Sequence, residues 1–233
     1  MAMGGEGTLG MFGIPRLAAA ERMRGLLGLV LQPDTATIRA SYALAAALIG
    51  EDAEQVVAPG SLPHLTLTQC AVGDVPRSRL AMFVERLRAR LCGRTIPLTT
   101  IAVFGGGFVF WCVDPSSPER RLLANAHEDA VLVADGFLDH VANAAVVDAT
   151  ARATGGDPDL VDNARRYGYA FARDHYVPHI TLGFDRRFGA AGGRRFEARE
   201  ERHAMIVADV LVAKLGPLGR VAAVLSLPDQ PRS

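Results

Sequence analysis

The sequence predicts an α+β fold that is bilobal: two pseudo-twofold-related lobes of antiparallel sheet flanked by helices, with a cleft between two His-x-Thr strands. Three observations carry this expectation. The pentapeptide Pro63-His64-Leu65-Thr66-Leu67 returns later in the chain as Pro178-His179-Ile180-Thr181-Leu182. Glycine turns join neighbouring β-like runs directly, which marks antiparallel pairing. Helical segments fall among these hairpins without regular βαβ alternation, which argues against a doubly wound parallel sheet.

The elements follow in chain order. Residues 1–23 are rich in Gly and Met and read as a loose N-terminal extension, leaving 24–233 as a single bilobal domain. Gly25 to Gln32 is a first strand. Asp34 then caps a helix through Ile49. The first histidine strand ends near Ala71. Between Pro76 and Cys92, Leu80, Phe83, Val84, Leu87 and Leu91 recur at helical period. Thr95 to Phe104 and Phe108 to Val113 form a hairpin about Gly105-Gly106-Gly107. Ser117 to Asp135 is another helix, with Ser117 or Pro118 near its start. Residues 137–175 read as a helical insertion in two pieces, broken at Gly155-Gly156, with Asp157 capping the second. The second histidine strand covers Tyr176 to Phe184, and a Gly/Arg-rich loop follows at 185–195. Ala204 to Leu215 and Gly219 to Leu227 close the chain as a hairpin about Gly216-Pro217.

Composition narrows the function classes. Net charge is zero, and hydrophobic and charged residues make up 49% and 21%, so no basic field exists to hold a long polyanion. Cys70, Cys92 and Cys112 are odd in number and without a CxxC, which fits a reducing, cytoplasmic setting better than a disulfide framework. No apolar run reaches membrane-spanning length, so no membrane partner is expected, and the expected chain is a monomer. Arg165, Arg166, Arg173, Arg186, Arg187, Arg194 and Arg195 crowd the second half, where carboxylates nearly balance them. They read chiefly as a solvated surface, with steering of a phosphate as the alternative.

The repeated pentapeptide is the chemical signal. Residues i and i+2 of a strand share a face, so each copy presents an imidazole beside a hydroxyl while Leu or Ile turns into a core. His64 and His179 are therefore the candidate catalytic residues, with the Thr66 and Thr181 hydroxyls as candidate binding groups beside them. His127 in a helix, His140, His175 and His203 near element ends read as solvated or structural. Along Phe108 to Trp111, Phe108 and Phe110 share one face and Val109 and Trp111 the other. Tyr176 and Trp111 are the candidates for contacting the rest of a ligand.

The two His-x-Thr motifs, each followed by an apolar residue, resemble the signature of the 2H phosphoesterase superfamily, which includes 2'-5' RNA ligase-like proteins and cyclic nucleotide phosphodiesterases. Residues 176–183 are similar to the fuller second motif, Val109-Phe110-Trp111 to the central apolar strand, and residues 215–219 to the C-terminal hairpin. The resemblance covers residues 25–228. The N-terminal extension and the long segment 137–175 depart from it. It implies a bilobal α+β fold, a site without metal or other cofactor, and phosphodiester or cyclic phosphate substrates.

Histidine suits that chemistry because its pKa lies nearest neutral pH. Two imidazoles flanking one phosphate, one neutral and one protonated, supply a base and an acid. The threonine hydroxyls can donate to the non-bridging oxygens. The expected function is hydrolysis, or reversible formation, of 2',3'-cyclic or 2'-5' phosphodiesters of nucleotides or RNA ends. Two alternatives stand beside it. One is a non-catalytic RNA-end or nucleotide-binding module. The other is a zinc protein, disfavoured because each motif offers one ligand with no adjacent carboxylate or cysteine.

Overall fold

Asp34, Ser117, Asp139 and Asp157 each place a side-chain oxygen on the amides opening a helix, and these caps divide the chain into its elements. In the computed structural model, residues 13–18, 22–49, 53–57, 60–104, 106–188 and 197–227 are described. Their elements are β1 (Arg16–Ala18), β2 (Arg22–Pro33), α1 (Thr35–Leu48), β3 (Glu54–Gln55), β4 (Leu65–Pro76), α2 (Arg77–Leu91), β5 (Thr95–Phe104), β6 (Phe108–Val113), α3 (Pro118–Asp135), α4 (His140–Ala153), α5 (Pro158–Tyr167), β7 (His179–Phe184), β8 (Arg199–Leu215) and β9 (Val221–Ser226). The α+β class is as expected, with a large, mostly antiparallel sheet.

The strands run in the order β1-β9-β8-β2-β4-β7-β6-β5, with β3 on β7. Strand β5 also pairs with β8, so the path β8-β2-β4-β7-β6-β5 returns to its own start. The long β8 makes this closure, giving its first half to β5 and its second to β2 and β9. Strands β4 and β7 meet through one residue pair, Leu65 opposite Ile180. Helices α2 and α3 pack on β4, α1 on β7 and β8, and α4 on β4 and α5. The α2 face predicted from periodicity, Leu80, Phe83, Val84, Leu87 and Leu91, is buried. It joins Leu65, Leu67, Trp111, Ile180 and Leu182 in the main core.

Several expectations need correction. Residues 1–23 are not wholly an extension: Arg16–Ala18 pair in parallel with β9, Ile14 is buried, and β2 begins at Arg22. The rest of that segment lies outside the described residues, as do Gly105, Arg194 and Arg195. The histidines open their strands or precede them: β4 starts at Leu65 and runs on to Pro76, and β7 starts at His179. Helix ends at Tyr167, because Gly168 stops α5 in the left-handed conformation at φ 73°. Only a single 3-10 turn follows, at Arg173–His175. Strand β8 begins at Arg199, five residues before its predicted start.

The β5–β6 turn explains its glycines. Gly106 has φ +79°, and a Cβ there would lie 2.3 Å from the Ala153 carbonyl oxygen. A Cβ on Gly107 would lie 2.4 Å from that of Asp185. The hairpin tip is thus wedged between the end of α4 and the end of β7.

Candidate active site

Proline before each histidine restricts the preceding residue to extended backbone, and each imidazole then folds back on its own chain. His64 Nδ1 donates to the Leu62 carbonyl at 2.8 Å, and His179 Nδ1 donates to the Val177 carbonyl at 2.5 Å. Both bonds reach residue i−2. They fix the same tautomer in both rings and leave each Nε2 with its lone pair for other partners.

The motif strands share a second irregularity. In the β2–β4 ladder Leu29 faces Thr68 but Val30 faces Thr66, so Leu67 is an extra residue. In the β6–β7 ladder Val109 faces Gly183 but Phe110 faces Thr181, so Leu182 is extra. The bulge falls on the final leucine of the pentapeptide both times, and both leucines are fully buried. Such bulges re-aim side chains beside sites. Here, Thr68 is turned into the core and Gln69 takes its place on the outer face. Each bulged carbonyl finds an outside donor: His127 Nδ1 at 2.5 Å for Leu67, the Val57 amide at 3.2 Å for Leu182.

Those strands open into one cavity of about 380 Å³, lined by His64, Thr66, His179 and Thr181. All four motif residues thus share one wall. Burial holds the pKa of both histidines below its ordinary value. For His64 the bond to the Leu62 carbonyl offsets this in part. His179 is pushed down to about 4, first by burial and then by its proximity to His64, against the opposing effect of its bond to Val177. Its ring stacks on Phe110 at 3.5 Å between centroids and meets the edge of Phe171 at 5.9 Å. Pulled down in this way, both imidazoles are neutral at neutral pH.

Tyr176 and Trp111 lie elsewhere. Trp111 is 1% exposed, on the face of β6 away from the cavity, and donates Nε1–H to the Glu201 carbonyl. Its neighbours Phe108 and Phe110 take the cavity face. Tyr176 is buried behind the site, where its hydroxyl donates to the Thr66 carbonyl at 3.1 Å and its ring stacks on His127 at 4.0 Å. His127 is no surface residue: it is 1% exposed and accepts the Arg173 amide on Nε2. Tyr176 and His127 together hold the carbonyls of the first bulge. His203 is half-buried and bonded to Thr37 Oγ1 rather than solvated, while His140 and His175 are exposed.

The sequence reading missed other contributors, the loop residues Tyr169, Ala170 and Phe171 among them. Gln69 lines the cavity because of the bulge, which strand alternation does not reveal. Helix α4 lines it with Ala142, Ala145, Val146, Ala149 and Ala153, a stripe at helical spacing that was legible in the sequence. The β8–β9 turn contributes Gly216 to Gly219, with Leu218 held at φ 56°. Among the described residues no arginine lines the cavity. Arg165 and Arg166 pair with Asp162, Arg173 with Glu128 and Arg187 with Asp185.

Among the described residues no group of three His, Cys, Asp or Glu could hold a metal ion. No helix among them is long and apolar enough to cross a membrane. Compared with known proteins, the chain matches no family model and no curated protein.

Proposed function

We propose that this chain is a phosphodiesterase of the 2H type that opens 2',3'-cyclic or 2'-5' phosphodiesters with His64 and His179 as an acid/base pair. The observation that carries this reading is the matched presentation of the two imidazoles. Each is held through Nδ1 on its own i−2 carbonyl, and each lines the same cavity as its threonine. A bilobal, twofold arrangement belongs to the same reading. It is supported by the pairing of equivalent residues Leu65 and Ile180 and by equivalent bulges at Leu67 and Leu182.

The proposed reaction needs one proton on the pair. A phosphate anion seated between the rings offsets the burial that keeps them neutral, so binding draws a proton onto one Nε2. The neutral ring then takes the proton of an attacking water as its oxygen bonds to phosphorus. The protonated ring gives its proton to the ribose oxygen as that P–O bond breaks. One proton has moved across the pair, and solvent exchange restores the start. Thr66 and Thr181 donate to the non-bridging oxygens throughout. The reverse path would join the ends.

Because general acid–base groups contribute about 10²- to 10⁴-fold, His64→Ala and His179→Ala should each lower kcat on 2',3'-cyclic nucleotides by at least about 100-fold. Chelators should leave the wild-type rate unchanged. Full activity in either variant would overturn the reading. A second reading, a nucleotide-binding module without turnover, is favoured by the lowered pKa of both imidazoles. It predicts saturable binding of the same nucleotides with no product.

A further inference from the structure

We infer that the cavity takes a phosphodiester whose only charge is the phosphate itself, with the attached group an uncharged ring seated on α4. This rests on the phosphodiesterase reading and adds the substrate class to it. Two unlike groups of side chains line the cavity. One is the motif group of His64, Thr66, His179 and Thr181. The other comes from α4 and its end, where Ala142, Ala145, Val146, Ala149 and Ala153, none of them buried, are joined by the uncharged hydroxyl residues Thr150 and Thr154.

A surface helix ordinarily turns its apolar stripe to a core. Here α4 buries only Asn143, whose amide donates to the Ala164 and Arg165 carbonyls and ties the helix to α5. Its start is fixed to β4 by backbone bonds from the Asp139 amide to the Ala71 carbonyl and from the Gly73 amide to the Phe137 carbonyl. The stripe is therefore held rigidly over the motif strands and left open to the cavity. The charged residues of α4, Asp148 and Arg152, do not line it.

Charge sharpens the choice. No cation among the described lining residues stands ready for a second phosphate. A single diester charge can be met by the two hydroxyls and one protonated imidazole. A further phosphate against the alanine stripe would be an unpaired charge at an apolar wall. Phe108, Phe110 and Phe171 add aromatic faces, and Gln69, on the outer face of β4, offers an amide that can both donate and accept at a ring edge. The volume suits one mononucleotide, at the small end of ligand sites.

The test compares adenosine 2',3'-cyclic phosphate with the same compound carrying a 5'-phosphate, by turnover and by calorimetric binding. Wild type should prefer the singly charged compound by at least about tenfold, because the extra charge finds no partner. Ala149→Arg should narrow or reverse that preference, and Ala149→Glu should raise KM for the singly charged compound with kcat little changed. Thermal melts check that both variants fold. Turnover of both compounds at equal efficiency overturns the inference and leaves the phosphodiesterase reading standing. Discriminating binding without turnover overturns the phosphodiesterase reading and supports the inference. Binding of neither compound overturns the inference.

Discussion

A buried imidazole keeps its place only while it is neutral, and His64, His127 and His179 all have pKa values lowered first by burial. For His179 the folded value, about 4, lies below the unfolded value of about 6.5. Between these the unfolded chain binds more protons, so stability is complete above about pH 6.5 and falls as pH drops toward 4. His179 alone accounts for a loss on the order of 3 kcal/mol across that window. His179→Asn should flatten the decline of Tm between about pH 7 and pH 4.5, measured by circular dichroism. Added phosphate should raise Tm most at the acid end, where it pairs with imidazolium. His127 carries a different load. His127→Leu strands the buried Leu67 carbonyl, at about 1–3 kcal/mol, and also takes the acceptor from the Arg173 amide. Chemical denaturation at neutral pH measures that loss. Nothing local in Ala-Asn-Ala-His-Glu marks His127 as buried, since its partners come from β4 and the loop after α5. His64 and His179 were legible because a short polar pattern repeated, whereas Tyr176 and Trp111 were misread because an aromatic ring suits a core and a site equally well.

Among the elements, β4 shows how one inserted residue sorts its neighbours. The Leu67 bulge sends Thr68 into a region lined by Leu27, Val75 and Leu80, where its hydroxyl has no hydrogen-bond partner among the described residues. Thr68→Val should therefore stabilise the fold by about 1 kcal/mol, read as a higher urea midpoint at unchanged slope. Gly106→Ala should do the opposite, losing about 1–3 kcal/mol, because it places a Cβ against the Ala153 carbonyl at a left-handed φ. Helices were the readable elements: caps at Asp34 and Asp157 and the period in α2 stood in the sequence, and all are present. Strand limits were less readable. Pairing partners decide where a strand stops, and β8 extends back to Arg199 only because β5 lies beside it.

At the scale of the whole molecule, β8 serves both groups of strands, so the chain should unfold as one unit rather than as separate lobes. Trp111, the single tryptophan, is buried on β6 and reports one side of the ring of strands. Far-UV circular dichroism reports all of it. The two probes should give coincident urea transitions, and separated midpoints would count against a shared fold. The repeated pentapeptide was legible at once, but the closure of strand order through β5 and β8 had no local signature. It depends on pairs far apart in the sequence.

That ring has one thin seam. Every other join in it runs for several residues, but β4 and β7 are stitched by Leu65 and Ile180 alone. Leu65 and Ile180 each directly follow a motif histidine, so under the proposed function this seam sets the spacing of the two imidazoles. Widening it breaks a single rung, while the motif strands stay anchored by their outer neighbours. A bound phosphate would then act as a clasp. Amides flanking the seam should exchange fastest in the empty protein and slow most when the site is filled.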